Sequence, residues 1–440
     1  MKKRIFSLLC VTIVLAVSLA TLSSCYLFWD FSPVDDYFTQ DGQNKDNQNG
    51  GGSNGDSTTQ NPSGTIPAPE FIPGSEGHDA ILENFSASSK AILSCVTITS
   101  TFTKSSYNYG YGYEFESSAK DFVTEGSGVI YRLDKTKGDA YIITNYHVVY
   151  SSSSSDANQI SKNIKVYLYG QESETYAIPA TYVGGSLTQD LAVLKVEGSV
   201  VLQNSYAVAA TIADSDEIAV MDTVIAIGNP EAQGMSVTTG IVSVDSESLG
   251  LTAANGKTTI SLRVIRVSAA INEGNSGGGL FNASGELIGI VNAKKTGSEI
   301  DNIGYAIPSN IAKNYADSII YYCNGATVLN PSKCLLGVEL TANILGLDVD
   351  AESGRITKRE IVEVHALQNG SVVSGSVLAG DIINSITVDG VTREVTRIHQ
   401  IVDHMLTARV GSTVVLNITR GEETFDITVT VPESALNKVD

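Results

Sequence analysis

The chain has 440 residues, of which 42% are hydrophobic, and its formal net charge is −20. This length is sufficient for two or three domains, and the apolar fraction is typical of globular domains with their own cores. The excess of acidic side chains argues against nucleic-acid binding, because that function needs a basic surface.

Residues 1–24 predict an export signal, since a basic start precedes an almost wholly apolar run over residues 5–20. The LSSC sequence at residues 22–25 resembles the lipobox of bacterial lipoproteins. That resemblance implies cleavage before Cys25, lipid on Cys25, and a body held at the cell membrane on its extracytoplasmic face. An uncleaved transmembrane anchor is the alternative, although the run is shorter than the roughly 20 residues that span a bilayer.

Residues 25–77 predict a flexible tether, because Gly, Asn, Gln, Ser, Asp and Thr dominate and cannot bury a core. A tyrosine- and glycine-rich segment at residues 104–113 is interpreted as a surface loop. A role in subunit or partner contact is the alternative for this segment, because tyrosine is enriched at interfaces.

The cysteines indicate no metal site, because they form no CxxC spacing and no Cys/His cluster. Cys323 and Cys334 are close enough in sequence to form a disulfide. Buried free thiols are the alternative for these two residues and for Cys95. We expect neither a metal nor another cofactor.

Short β-rich runs separated by Gly and Asn turns predict an antiparallel barrel or sandwich. A helix is predicted over residues 309–322, with Ser309 as its N-cap and Ile311, Tyr315 and Ile319 on its apolar face. A shorter helix is predicted over residues 79–90. The predicted strands cover residues 91–98, 127–131, 140–144, 164–168, 180–183, 191–196, 223–227, 238–244, 262–267 and 287–293.

A glycine-rich turn around Ser276 is the first candidate for chemistry. Glycines allow positive φ and close approach of a substrate backbone, so the turn can point the Ser276 hydroxyl outward. The N–H groups of Gly274 and Ser276, with Asn275 between them, can then form an oxyanion hole. A Gly-Ser cluster is more often a plain loop, so this turn needs support from other residues.

Two other segments supply that support. His147 follows an apolar strand, and Asp190 opens another. A serine hydroxyl becomes a good nucleophile only when a base takes its proton and a carboxylate orients that base. His147, Asp190 and Ser276 occur in the His, Asp, Ser order of chymotrypsin-like enzymes.

These segments resemble the catalytic segments of the HtrA (Deg) family of trypsin-like serine proteases. They are TNYHVV at residues 144–149, DLAVLK at 190–195 and GNSGG at 274–278. Three more family-like pieces are AIGNP at 226–230, VTTGIVS at 237–243 and NIGYAIPSN at 302–310. The resemblance covers roughly residues 80–435.

The resemblance implies a mostly β protease domain over residues 78–325, built from two six-stranded antiparallel barrels. His147 and Asp190 belong to the first barrel and Ser276 to the second. It also implies an ATP-independent endoprotease that cleaves misfolded or exported proteins and assembles as a homotrimer.

The expected substrate pocket carries no charge. Trypsin-like enzymes that cleave after basic residues have a charged residue six positions before the serine, where this chain has Ala270. With Ile303, Gly304 and Tyr305 as the wall, the resemblance implies cleavage after small or medium apolar residues. The family usually has proline near position 279, so Gly279 is expected to loosen the turn without removing a catalytic group.

Residues 326–440 resemble a PDZ domain. Leu335, Leu336, Gly337 and Val338 correspond to its carboxylate-binding loop, and residues 378–386 to its Gly-Asp-Ile-Ile strand. An apolar helical face over residues 398–410 and a hairpin at 414–420 and 424–431 complete the pattern. The resemblance implies binding of peptide C-termini, and a domain without a ligand is the alternative.

Two other functions are alternatives to the endoprotease. One is a protease-fold chaperone or peptide-binding sensor with weak catalysis, and the other is a structural surface lipoprotein. The first predicts a damaged triad, and the second does not explain why His147, Asp190 and Ser276 all lie in their expected segments.

Overall fold

The computed structural model describes residues 89–104, 120–230, 234–292, 303–322, 332–351 and 354–438. All of them belong to one compact unit, Thr65–Asp440. The predicted export signal, Cys25, the tether, residues 105–113 and Cys323 lie outside the described residues. Within the described part, no helix is long and apolar enough to cross a membrane.

The first six strands form a closed antiparallel barrel in the order β1-β2-β3-β6-β5-β4. In β1 the alternate residues Val96 and Ile98 are fully buried in the barrel core, because alternate side chains of a strand point to the same face. Pairing of β1 with both β2 and β4 closes the barrel. The strands are β1 (Cys95–Lys104), β2 (Lys120–Asp134), β3 (Asp139–Thr144), β4 (Asn163–Leu168), β5 (Ile178–Ser186) and β6 (Leu191–Val196).

The next six strands form a second closed barrel in the order β10-β11-β12-β9-β8-β7. Val242, Val267 and Leu280 are fully buried in its core. The prediction of two six-stranded antiparallel barrels is therefore confirmed. The strands are β7 (Thr223–Gly228), β8 (Ser236–Thr252), β9 (Thr259–Val267), β10 (Gly279–Asn282), β11 (Leu287–Val291) and β12 (Gly304–Pro308).

The predicted helix over residues 309–322 is also confirmed. Its residues Ile311, Tyr315 and Ile319 are buried in a cluster that includes side chains of both barrels. After β1, the α-helices of the described residues are α1 (Tyr146–Val149), α2 (Val200–Gln203), α3 (Ser309–Tyr322) and α4 (Ile398–Met405).

The predicted strand over residues 91–98 is wrong at its start. Residues 91 and 92 are helical, and β1 begins only at Cys95. The Ser94 hydroxyl and the Ser94 N–H both donate to Ala91 O, at 2.7 and 3.0 Å, and this turn ends the helix. Of the predicted helix over residues 79–90, only residues 89 and 90 are described.

In the described residues of the C-terminal part, a six-stranded antiparallel sheet packs with the α-helix α4. The sheet order is β14-β15-β16-β18-β19, with β17 paired to β16. Val364, Ile386 and Leu416 form part of its own core. The strands are β13 (Ser332–Cys334), β14 (Val338–Val349), β15 (Ile356–Leu367), β16 (Ile382–Val388), β17 (Val391–Glu394), β18 (Thr413–Arg420), β19 (Glu423–Thr430) and β20 (Leu436–Lys438).

Candidate active site

His147 and Asp190 are brought together by the pairing of β3 with β6. Thr144, the last residue of β3, lies opposite Ala192 in β6, so the segments before β6 and after β3 meet. His147 Nδ1 lies 2.7 Å from Asp190 Oδ2. The His147 backbone N–H donates to Asp190 Oδ1 at 3.1 Å. One carboxylate thus contacts both the ring and the backbone of His147 and fixes the ring orientation.

Asp190 is held in an uncommon conformation. Asp190 has a φ of +51° and is 1% exposed. A residue other than glycine in this left-handed conformation needs support from its surroundings. The side-chain amide of Asn145 donates to Asp190 O at 2.9 Å. The amide of Asn292, which follows β11 of the second barrel, donates to Asp190 Oδ2 at 2.9 Å. Both barrels therefore position this carboxylate.

The turn that carries Ser276 is stabilised from within and from β11. Gly274 and Gly277 have φ values of +94° and +84°, where glycine has no steric penalty. The Gly277 N–H donates to Val291 O at 2.9 Å, and the Val291 N–H donates to Gly278 O at 2.8 Å. These bonds fix the turn on the second barrel.

The same turn packs against the segment that carries His147. A Cβ added to Gly277 would lie 2.3 Å from Thr144 Oγ1 and 3.1 Å from Asn145 N. A Cβ on Gly126 would lie 2.8 Å from Cγ1 of Val148 and 3.3 Å from Ser276 O. The structure therefore brings the turn of Ser276 next to α1, the helix that contains His147.

The backbone of the turn leaves Gly274 as a candidate oxyanion donor. No described residue accepts a hydrogen bond from the Gly274 N–H. The Asn275 N–H, in contrast, donates to Asn272 O at 3.1 Å. The backbone N–H of Asn275 is thus engaged within the turn, whereas that of Gly274 is a candidate oxyanion donor.

The segments of the predicted substrate pocket are neighbours. β12 pairs with β9, with Gly304 opposite Val267. A Cβ on Gly304 would lie 2.5 Å from Cδ1 of Ile271 and 3.1 Å from Ala269 O, so Gly304 contacts the segment that contains Ala270. Ile303 and Tyr305 flank Gly304 and are half-buried. The segments predicted to form the pocket wall thus lie next to each other.

Gly279 has a packing role that the sequence did not indicate. It is the first residue of β10, and a Cβ there would lie 2.2 Å from Cε2 of Phe281. Phe281 is fully buried in the cluster beneath α3. Glycine at this position accommodates the Phe281 ring.

Two other potentially reactive groups of the first barrel, the Cys95 thiol and the Tyr146 hydroxyl, are neutral near pH 7. Burial raises the pKa of the Cys95 thiol to about 12. Burial, with a smaller contribution from Tyr150, also raises the pKa of the Tyr146 hydroxyl to about 12. Because a thiol is nucleophilic only as a thiolate, Cys95 is unsuited to replace Ser276 near neutral pH. Cys334 is likewise a buried free thiol.

The predicted carboxylate-binding loop lies between β13 and β14. Gly337 has φ +71°, and its carbonyl accepts from the Gln368 N–H at 2.9 Å. The Leu336 carbonyl accepts from the Ser371 hydroxyl at 2.8 Å. Among the described residues, none accepts a hydrogen bond from the N–H of Leu336 or Gly337. These two amides are suitable donors for a carboxylate, and Leu335 and Val338 flank them.

Three site residues were not assigned a role by sequence reasoning, namely Asn145, Asn292 and Ser127. Asn145 lies inside the TNYHVV motif, so its position next to His147 was a usable signal. Asn292 and Ser127 act over 102 and 147 residues of sequence, and no local pattern indicates such contacts. The described residues contain no group of three or more His, Cys, Asp or Glu side chains that could hold a metal ion.

Comparison with known proteins shows similarity to trypsin-like serine peptidases. A family model for the trypsin-like peptidase domain matches residues 126–290. The chain is 40% identical over 213 residues to the serine protease Do-like HtrA of Lactococcus lactis subsp. cremoris, which covers 46% of this chain and 47% of that protein. It is 32% identical over 322 residues to the periplasmic serine endoprotease DegP of Escherichia coli, covering 72% and 59%.

The serine protease Do-like HtrA of Lactobacillus helveticus is 30% identical over 313 residues, covering 70% of this chain and 68% of that protein. The chain belongs to the HtrA family. The membership predicted from the three motifs is thus confirmed. The chain spans about half the length of the first curated relatives that it matches, with 47% and 45% of those proteins covered.

Proposed function

We propose that this HtrA-family chain is a serine endopeptidase with His147, Asp190 and Ser276 as its triad. The observation that carries the proposal is the His147–Asp190 contact of 2.7 Å beside the turn that holds Ser276. An imidazole oriented by a buried carboxylate is the group that a serine hydroxyl needs to become nucleophilic.

In the proposed reaction, Ser276 Oγ attacks the carbonyl carbon of the scissile peptide bond while His147 Nε2 takes the hydroxyl proton. Asp190 accepts from Nδ1–H and stabilises the imidazolium that forms. The N–H groups of Gly274 and Ser276 bind the oxyanion of the tetrahedral intermediate. His147 then protonates the leaving amine, and a water molecule hydrolyses the acyl-enzyme by the same steps.

The substrates in this proposal are misfolded or exported proteins, cleaved without ATP outside the cytoplasm. The uncharged Ala270 and the wall at residues 303–305 suit small or medium apolar side chains. Such side chains become accessible mainly when a substrate unfolds. Lipid on Cys25 would hold the protein at the membrane, and we expect a homotrimer from the family resemblance.

The C-terminal sheet is proposed to bind peptide C-termini as a PDZ domain. β14 is the first strand in the sheet order, so its outer edge can accept an added strand. The N–H groups of Leu336 and Gly337, which no described residue engages, lie directly before that strand, where the terminal carboxylate of such a peptide would sit.

Casein digestion by the full chain in detergent, beside Ser276→Ala, tests the endopeptidase. We expect the wild type to degrade casein and to label with a fluorophosphonate, and the variant to do neither. Equal digestion by both proteins removes Ser276 as the nucleophile. A folded but inert wild type that still holds unfolded casein favours the chaperone or sensor function instead.

The pocket makes a separate prediction about specificity. Mass spectrometry of the casein fragments should show cleavage after Val, Ala or Ile, and Ala270→Asp should add cleavage after Arg and Lys because it supplies a carboxylate. A wild-type profile dominated by Arg and Lys contradicts the pocket assignment.

A further inference from the structure

Ser127 is a fully buried residue of β2 whose polar groups all contact the candidate site. Its N–H donates to Ser276 O at 2.8 Å, and its hydroxyl donates to Gly274 O at 2.7 Å. The hydroxyl also accepts from the Asn229 N–H at 2.9 Å. Its carbonyl accepts from the Thr144 hydroxyl at 2.7 Å. A single residue thus connects the two barrels, the turn of Ser276 and the strand that leads to His147.

The position of Ser127 is itself tightly constrained. Its neighbour Gly126 would clash with Val148 if it carried a Cβ, at 2.7 Å. Its other neighbour Gly128 would meet Ile142 and Ile98, also at 2.7 Å. Two glycines therefore let β2 lie against the barrel core and α1, and they leave Ser127 little freedom to move.

The hydroxyl of Ser127 fixes the part of the turn that is intrinsically least constrained. Gly274 has φ +94°, and glycine has access to more backbone conformations than any other residue. The peptide group between Gly274 and Asn275 is held at both ends, by Ser127 Oγ on its carbonyl and by Asn272 O on its N–H. Without the hydroxyl, only the N–H end of that peptide group stays bonded.

We propose that Ser127 is a positioning residue: by holding the Gly274 carbonyl it fixes the backbone conformation of Gly274, so that the N–H of the same residue, which belongs to the preceding peptide group, faces the developing oxyanion. The inference rests on the proposed endopeptidase function. Ser127 contacts no reacting atom, and it acts through the backbone of Gly274 and Ser276. Loss of a direct oxyanion donor costs about 10²–10³-fold in kcat. We expect loss of this indirect support to cost about tenfold or more.

Ser127→Ala in the full chain is the decisive variant, with Ser161→Ala as its matched control. Ser161 is also a buried serine of the first-barrel region, and its hydroxyl donates to Thr101 O at 2.8 Å and accepts from a backbone N–H. Both variants lose one hydroxyl that bonds the backbone on both sides. Only Ser127 contacts the turn of Ser276.

We expect Ser127→Ala to lower kcat on a chromogenic peptide about tenfold or more, with KM within about twofold of the wild type. Inhibition by a peptide aldehyde, whose adduct carries an oxyanion, should weaken in parallel. The acid limb of the pH profile should not move, because the His147–Asp190 contact is untouched. Ser161→Ala should keep wild-type kcat even if its melting temperature falls equally.

Three results overturn the inference. One is a folded Ser127→Ala protein with wild-type kcat, another is an equal loss in both alanine variants, and the third is a loss in KM alone. If Ser127→Ala does not fold, Ser127→Thr is the variant to measure, because it keeps the hydroxyl. A folded Ser127→Thr protein that binds the aldehyde more weakly than the wild type also contradicts the inference. A wild type that neither cleaves nor labels removes the proposed function itself, whereas an active wild type with an unaffected Ser127→Ala removes only this inference.

Discussion

At the scale of single residues, the candidate site depends on close approach as much as on chemistry. Gly277 is the clearest case, because it lies between the two barrels where no side chain fits. A Cβ there would be 2.1 Å from Ser127 O and 2.3 Å from Thr144 Oγ1. Both atoms belong to the network that supports the turn of Ser276.

Gly277→Ala should therefore abolish measurable casein digestion and lower the melting temperature, because the backbone of the turn must move away from β2 and β3. Gly256→Ala is the matched control, since Gly256 has φ +69° with nothing within 4 Å of an added Cβ. Its free energy of unfolding should fall only by the conformational cost of positive φ for alanine, about 1–2 kcal/mol. Its activity should be unchanged. Equal effects of the two substitutions on activity contradict this account of the turn.

At the scale of elements, α4 is the helix that joins the C-terminal sheet to the second barrel. Asp403 of this helix is 4% exposed and pairs with Arg263 of β9. Burial raises the pKa of the Asp403 carboxyl to about 7, the neighbouring Asp216 and Asp214 add to the shift, and Arg263 opposes it. Burial thus outweighs the ion pair at this position.

The raised pKa predicts a pH dependence of stability with a definite sign. Because the folded-state pKa exceeds the ordinary value of 3.8, the folded chain keeps a proton that the unfolded chain releases between these two pH values. The contribution of Asp403 to stability is fully present below about pH 4 and is lost as the pH rises to about 7. Asparagine has no carboxyl group to titrate, so Asp403→Asn does not show this loss of stability.

The melting temperature of Asp403→Asn minus that of the wild type should therefore rise between pH 5 and pH 8. The difference corresponds to a free energy on the order of 2–4 kcal/mol. The titratable groups that act on Asp403 or respond to it, namely Arg263, Asp216, Asp214 and Tyr315, are present in both proteins. Asp348→Asn, whose side chain is half exposed, should show no such trend, and a flat or falling difference for Asp403→Asn would refute the sign.

At the scale of the whole molecule, charge complementarity joins the C-terminal part to the barrels. The second-barrel region contributes carboxylates and the C-terminal part contributes cations, and among the described residues Arg263–Asp403 is the one reversed pair. Although the net charge of the chain is −20, several of its basic residues form ion pairs at the junction between these two parts. The pairs are Arg393–Asp214, Arg355–Asp222 and Arg397–Asp245.

A double-mutant cycle on Arg397 and Asp245 measures this junction. Their side chains are 11% and 12% exposed and 2.8 Å apart, so we expect a coupling energy of about 1.5–3 kcal/mol in chemical unfolding. The pair Arg359–Asp348, at 3.4 Å with both side chains about half exposed, should give at most about 1 kcal/mol. Equal coupling in both cycles means that burial at the junction adds nothing.

The sequence by itself determined the mostly β class, the helix over residues 309–322 and the three segments that identify the family. Alternating apolar residues, turn glycines and short motifs are local signals, because each involves only residues that are close together in the chain. His147, Asp190 and Ser276 were identifiable for that reason.

Only the tertiary structure decided how those residues are held. Asn292 reaches Asp190 across 102 residues, Ser127 reaches Gly274 across 147, and Arg397 reaches Asp245 across 152. Such contacts depend on how the two barrels and the C-terminal sheet pack together. A periodicity that predicts one strand or one helix contains no information about which distant backbone atom a buried hydroxyl or amide will meet.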